Sequence, residues 1–466
     1  MQSGAGGWSG QRRAADNGRG PLEEQVVKLA ETFGDPDFAR AEERIRQGRQ
    51  TAIDLLEELV QIPTVNPPGS HYLECALLLA ERLRDLDFDP QIVNLPPHER
   101  ERLGLPADNP RPSVIAALEP REKKEPLPTL HFHGHYDVVP ADDAGMFRLT
   151  LNGDRAYGRG TADMKGGLVA MFLALASLRP LRERLNGRVL LSIVPDEETG
   201  GEGGTAHLFR SGALTSGGFG MLMPEPTGAT IWNGNRGALS QLLTVHGKSA
   251  HVAVQHQGVN AFEGMLELGA AFRELKRTVE SRTFGEETLG LEGPPSVLLI
   301  GGISQGGTNF NVVPHEGHFS LDRRFHPREN VQEVEHEMEG VLRGFRRKGW
   351  KVEVQLLQRG DASLTPADSP FARALAQVVS SVTGAESRIV LCPGILETRF
   401  FLQHAVPGLA YGPGELEHSH QPDEHVSVSR ILEVARVYAR MAWMMVGPQP
   451  PESTHDHQTL PRRSAR

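Results

Sequence analysis

The sequence predicts an α/β fold, in which a mostly parallel sheet domain carries an inserted two-layer domain of βαββαβ order. Buried-type strands such as "TLHFHGHYDVV" (129–139) and "RVLLSIVPDEE" (188–198) alternate with helical segments, the pattern of a parallel sheet covered on both faces. Between residues 238 and 360 the order changes to strand, helix, two strands, helix, strand, which makes a self-contained unit. A length of 466 residues leaves room for both.

In chain order, residues 1–48 read as a leader, partly flexible. Its start, "MQSGAGGWSGQRRAADNGRGP", lacks the apolar core of a secretory signal. A helical pattern over about 22–60 stops at the prolines of "IPTVNPPGS". The main domain is expected over 49–237, with a helix following "DMKGG" at 164–178. The inserted domain, 238–362, runs through "ALSQLLTVHG" as a strand, "NAFEGMLELGAAFREL" as a helix, and "PSVLLIGGIS" and "HEGHFSLDRRF" as strands. It ends with the helix "ENVQEVEHEMEGVLRGFRR" and the strand "WKVEVQLLQ". The main domain resumes over 363–447, and 448–466 reads as a disordered tail.

Composition narrows the partners. A net charge of −10 argues against nucleic acid or an anionic membrane surface. No run approaches the roughly 18 uncharged apolar residues that a membrane span needs. Cys75 and Cys392 stand far apart, so neither a disulfide framework nor a thiolate metal site is expected, and a reducing cytoplasm is.

Chemistry concentrates where strands end. In "HFHGHYDVVP", period 2 puts His131, His133, His135 and Asp137 on one strand face. Buried polar side chains need partners. His133 reads as a hydrogen-bonded core histidine, and His135, nearest the strand end, reads as a metal ligand. Asp137 is suited to fix the imidazole tautomer. In "YGRGTADMKGG", Asp163 precedes a helix and could be its N-cap, but flanking glycines allow a closer backbone approach than a cap needs. "PDEETGG" sets Glu197 beside Glu198, and neighbouring side chains in an extended segment point apart. One can then hold a cation while the other takes the proton of an attacking water, the division of labour that hydrolysis requires. Glu225 in "MPEPTG", with His418 or His420 in "EHSHQPDEHV", completes the donors. The set of His135, Asp163, Glu198, Glu225 and one of those two histidines, without a thiolate, suits two zinc-like ions and a bridging carboxylate.

Taken together and in order, "GHYDVVP", "GRGTADMKGG", "DEETGG", "EPT" and "GPG…HSHQPDE" resemble the zinc aminoacylase/deacetylase superfamily over roughly residues 50–447. That superfamily includes acetylornithine deacetylase, succinyl-diaminopimelate desuccinylase, aminoacylases, dipeptidases and glutamate carboxypeptidases. The resemblance implies a zinc-binding domain and an inserted lid that often dimerises. It implies two Zn2+ per subunit, with Co2+ able to substitute. His135 and Glu225 would hold one ion, Glu198 and His420 the other, and Asp163 would bridge. Asp137 would orient His135, and Glu197 would be the general base. "GKSAHVAVQHQGVNA" resembles the lid motif around His251, which in dimeric relatives reaches the partner's active site to stabilise an oxyanion. Here Gln255 replaces a common proline, and Val252 and Ala253 replace small hydroxyl residues. Asn311 and Arg399 would contact substrate, Arg399 through a carboxylate. Glu397 stands where relatives often have aspartate, and "ADDAGMFRLT" lacks a tryptophan common in relatives.

The implied activity is deacylation of an N-acyl amino acid by a homodimer. The alternative is a dipeptidase or carboxypeptidase acting on short peptides with the same centre. A non-catalytic binding protein on this fold is a more distant reading, because such relatives lose a ligand or the base and this chain keeps all of them.

Overall fold

Among the described residues the first helix opens at Pro36, whose ring presets the first helical φ, while the Asp35 carboxylate caps the N–H groups of Asp37 and Phe38 at 2.9 and 3.1 Å. The computed structural model describes residues 33–448, apart from 107, 123–125, 285–289 and 291–293. Most of the expected flexible leader and nearly all of the expected tail lie outside the described residues. Residues 22–32 of the helical pattern expected over about 22–60 lie outside the described residues, and the rest of it is two helices, Pro36–Gln47 and Arg49–Gln61, parted at Gly48. The first belongs to the core rather than to a leader ending at residue 48. Phe38, Ala41 and Ile45 are buried, and the Phe38 ring stacks on Trp443 at 5.3 Å. Those apolar residues recur at helical spacing, and only the main domain offers a surface to bury them.

The large sheet has nine strands. Its centre is parallel, in the order Arg188–Val194, Thr129–His135, Gly220–Met223, Gly408–Ala410. Antiparallel strands flank it: Pro112–Leu118 and Gln91–Asn94 on one side, Ile231–Asn235 and Ser363–Leu364 on the other. Ile389–Cys392 pairs parallel to Ile231–Asn235. The helix Gly166–Leu178 is apolar on every side and buried at all positions but one, packed between the sheet and Val428–Val446. The stretch Thr161–Arg184 is long and apolar enough to cross a membrane by length and composition, yet 83% of its apolar window is inside the protein, as for a core helix.

Parallel pairing matters for the site. His135 is in register with Val194, so the Thr129–His135 and Arg188–Val194 strands end side by side and bring His135 next to the turn carrying Glu197 and Glu198. Met223 is in register with Ala410, so the segments holding Glu225 and His420 leave the sheet at the same edge. Open α/β sheets bind their ligands at the carboxyl ends of such strands.

The inserted domain has the expected order, with strands Gly237–His246, Val297–Gly306, Glu316–Phe325 and Lys351–Gly360 and helices Ala261–Glu280 and Val331–Arg347. Its antiparallel sheet places Val297–Gly306 at one edge and Lys351–Gly360 at the other. A separate apolar core, including Leu243, Phe272, Phe319 and Leu342, joins sheet and helices.

Candidate metal centre

The five expected donors meet in two groups. His135, Asp163 and Glu225 form one, and Asp163, Glu198 and His420 the other, with the ligand atoms of each group within 4.8 Å of one another. Asp163 belongs to both. Its Oδ1 lies 3.3 Å from His135 Nε2 and its Oδ2 lies 3.4 Å from His420 Nε2. His420 Nε2 is also 3.2 Å from Glu198 Oε1. His418 turns elsewhere, with its ring edge-on to His425 and Nδ1 3.7 Å from Glu415.

Asp163 is not a helix cap. Its backbone is extended, and the N–H groups of Ala162 and Asp163 are held by Glu424 Oε1 at 3.0 and 3.2 Å, leaving its carboxylate free to face the two histidines. Glu424 is itself buried and paired with Arg159.

Asp137 does more than orient His135. The carbonyl oxygen of Asp137 accepts from His135 Nδ1 at 3.0 Å, while its carboxylate lies 3.4 Å from the same nitrogen. That carboxylate also receives the N–H of Glu197 at 3.2 Å, the N–H of Glu198 at 3.1 Å and Asn66 Nδ2 at 2.9 Å. One buried group therefore sets both the ligand-bearing strand end and the acidic turn. Asn66 Nδ2 also donates to Thr199 Oγ1 at 2.9 Å. Sequence reasoning named neither Asn66 nor Glu424; the signals were "VNPP" beside the expected helix stop and the acid of "HQPDE".

The residues fit a divalent cation. His135 Nε2 and Glu225 Oε1 are buried without a hydrogen-bond partner, and both belong to the first group. An orphaned imidazole nitrogen facing an orphaned carboxylate oxygen is costly unless something positive lies between them. Burial and then the Asp163 charge push the Glu225 carboxyl well above the usual range. Burial also raises Glu197, with Glu198 adding to it against His135. Despite its own burial, Asp163 is held low by His135 and His420, and its hydrogen bond, with that of Glu198, pushes His420 up to about 10. Carboxylates and imidazoles without thiolate are the donor set of a zinc-type hydrolytic centre.

Other expected residues lie differently. His133 bonds Ser192 Oγ at 2.7 Å and Glu397 Oε2 at 2.8 Å, a buried core histidine. Arg399 is buried, with Nη1 donating to Leu396 O at 2.6 Å and Nη2 to Gly200 O at 2.7 Å. It therefore ties the end of the acidic turn, at Gly200, to the segment around Leu396. His251 and Asn311 meet on the inserted domain. His251 is exposed and pairs through its backbone with Val312, and Asn311 O accepts from Val252 N at 3.0 Å. Among the described residues, no hydrogen bond or ion pair joins either of them to the five donors.

A carboxylate-rich cation site at the carboxyl ends of a parallel sheet, with a spare acid beside it, defines a metal-dependent hydrolase of amide or peptide bonds. The chain belongs to peptidase family M20/M25/M40, whose family model matches residues 131–444. It is 33% identical over 348 residues to succinyl-diaminopimelate desuccinylase of Gluconobacter oxydans (strain 621H), covering 72% of this chain and 84% of that one. Among solved structures it resembles the di-peptidase Dug1p from Saccharomyces cerevisiae, with a TM-score of 0.69, 14% identity and coverage of 88% and 98%. A dinuclear metal binding peptidase of the M20 family from Bacillus subtilis superposes with a TM-score of 0.57, 16% identity and coverage of 85% and 98%. At these identities the two structures share the fold.

Proposed function

We propose that the chain is a dinuclear zinc hydrolase that deacylates an N-acyl amino acid. The observation that supports this most is Asp163, one carboxylate common to two three-residue donor groups. His135, Asp163 and Glu225 would hold one Zn2+, and Asp163, Glu198 and His420 the other, with Co2+ able to substitute. Such a pair of cations supplies a Lewis acid for the amide oxygen and acidifies water toward a pKa of about 7.

The chain's own residues do the rest. Glu197 takes a proton from the attacking water and later delivers it to the leaving amine nitrogen. Asp137 holds the backbone of Glu197 and Glu198, so base and ligand keep a fixed relation. His251 and Asn311 are assigned to a homodimer in which the inserted domain of one copy reaches the centre of the other, where His251 steadies the developing oxyanion. Arg399 contacts substrate only through the N–H groups that its two carbonyl acceptors leave unused. The similarity to a desuccinylase supports an N-acyl amino acid over a peptide, and two free, buried cysteines accord with a reducing cytoplasm.

The decisive experiment replaces Glu197 with Ala. Turnover should fall by roughly 10²–10⁴-fold, with about two zinc ions per chain still found by elemental analysis. Undiminished turnover would remove Glu197 from its role. Acetyl, succinyl and dipeptide substrates assayed side by side separate deacylase from dipeptidase or carboxypeptidase.

A further inference from the structure

Glu197, the base of the proposed reaction, follows a residue with an unusual backbone. Asp196 carries the chain out of the strand Arg188–Val194 in the left-handed region, with φ of 67° and ψ of 16°. Glycine takes that conformation freely, whereas a residue with a Cβ holds it only where its surroundings compensate. Asp196 O accepts the N–H of Thr199 at 3.3 Å and that of Gly201 at 2.6 Å. The direction in which Glu197 leaves the strand is therefore set at this one residue.

A buried cation holds the Asp196 side chain. Arg111 is 1% exposed and donates from Nε to Asp196 Oδ2 at 2.8 Å, while the Tyr72 hydroxyl donates to Oδ1 at 3.2 Å. The other nitrogens of Arg111 reach a second wall, Nη2 donating to Pro68 O at 2.7 Å and Nη1 to Asn109 O at 3.3 Å. Gly69 lets the guanidinium lie this close, since a Cβ there would fall 2.6 Å from Nη1. Two grips thus meet on one turn. Asp137 takes the N–H groups of Glu197 and Glu198, and Arg111 fixes the side chain of Asp196. One loop joins the grips, because the segment whose Pro68 carbonyl receives Arg111 also carries Asn66, which donates to the Asp137 carboxylate at 2.9 Å. Among the described residues, no hydrogen bond or ion pair joins Arg111 to any of the five donors. A guanidinium bonded at both ends fixes a distance as well as a charge.

We infer that Arg111 is a positioning residue for hydrolysis, which through Asp196 keeps the left-handed bend that aims the Glu197 carboxylate. The inference rests on the hydrolase reading, in which Glu197 is the base. A bend that relaxes moves the base, and about 1 Å of such movement costs roughly 10²-fold in rate. A brace serving stability alone would lower the thermal midpoint and leave the turnover of folded protein unchanged.

The test compares wild type with Arg111→Met, with Arg111→Lys, and with a double variant carrying Arg111→Met and Asp196→Asn. The double variant leaves no buried charge unpaired, and it is read in place of Arg111→Met if the single variant does not fold. Each protein is saturated with zinc and assayed on whichever of the acetyl, succinyl and dipeptide substrates wild type cleaves fastest. In the methionine variants kcat should fall by roughly 10–100-fold, with KM within about threefold of wild type. Arg111→Lys, which keeps a cation opposite Asp196, should recover part of the loss. Amide hydrogen exchange read by mass spectrometry should be at least about tenfold faster over residues 196–201 in the methionine variants, and unchanged in the strand Glu316–Phe325 of the inserted domain. Full kcat in a folded methionine variant, or unchanged exchange over residues 196–201, overturns the inference and leaves the hydrolase reading standing. Should wild type cleave none of the substrates, the hydrolase reading fails instead. The exchange rates then decide on Arg111, since unaltered exchange over residues 196–201 refutes the anchoring of the turn and faster exchange sustains it.

Discussion

Replacing Asp137 with Asn keeps the shape of the side chain and removes one acceptor oxygen from a carboxylate that serves three N–H donors and lies beside the His135 ring. In the native chain Oδ1 faces the Glu197 N–H at 3.2 Å and His135 Nδ1 at 3.4 Å, while Oδ2 faces the Glu198 N–H at 3.1 Å and Asn66 Nδ2 at 2.9 Å. If Oδ2 becomes the amide nitrogen, the Glu198 and Asn66 N–H groups point at another donor; if Oδ1 does, the Glu197 N–H does, while His135 Nδ1 keeps the Asp137 carbonyl oxygen. With about 1–3 kcal/mol for each buried donor left unsatisfied, and the amide turned so that only the Glu197 N–H is stranded, the variant should lose about 1–3 kcal/mol. The loss falls on the turn that carries base and ligand. Zinc affinity should therefore drop by roughly 10–100-fold, and a base displaced by about 1 Å costs roughly a further 10²-fold in kcat. The assay is zinc competition against a chelating dye, followed by steady-state kinetics at saturating zinc. Full kcat at saturating zinc would refute the claim that Asp137 positions Glu197, because ligand orientation alone would then account for the defect.

Four further outcomes follow from the same geometry. The Glu197→Ala protein should keep its zinc and lose its turnover, as set out above. Asp163→Ala, which removes the shared donor, should retain fewer zinc ions by elemental analysis than Glu225→Ala, expected to keep about one; equal contents would disprove the bridge. Phe38→Ala should cost about 3–5 kcal/mol in urea unfolding, because the ring is fully buried against Trp443; a negligible change would mean that Pro36–Gln47 is an appendage. His131 is pushed down to about 4 by burial, opposed by its contact with Gly217 O, so the fold keeps it neutral while the unfolded chain protonates near pH 6.5. Stability present above pH 6.5 should fall by up to about 1.4 kcal/mol per pH unit as the pH drops toward 4. His131→Gln should flatten that part of the profile of thermal midpoint against pH, and an unchanged slope would count against it.

Much of this was legible in the sequence because parallel strands end together. Runs such as "TLHFHGH" and "RVLLSIV" announce both the strand and the place where its chemistry sits. The inserted domain was legible for a different reason: its alternation of periods 2 and 3.6 is clean, and its core closes on itself. The antiparallel edges were not visible, since short strands such as Ser363–Leu364 carry too few residues for a period. Nor could local pattern choose His420 over His418. Both lie in one turn, and the choice depends on a left-handed backbone at His420, with φ of 64°. The supports of the site were hidden for a related reason. Asn66 and Glu424 act on atoms 71 and 262 positions away in the chain, a pairing that only the folded sheet establishes. That the helix Pro36–Gln47, expected as helical, packs into the core rather than into a leader was not legible, because its apolar stripe is narrow among many charges and what it covers lies far along the chain at Trp443.

The insertion of a whole domain between Glu225 and His420 has a consequence for synthesis. A growing polypeptide emerging from the ribosome exposes four of the five donors long before the last one. Until His420 arrives, the growing protein has one three-residue group complete and the other lacking its imidazole. On the proposed reading, both groups are complete only once residue 420 has been made, and fragments released before it lack one of the two.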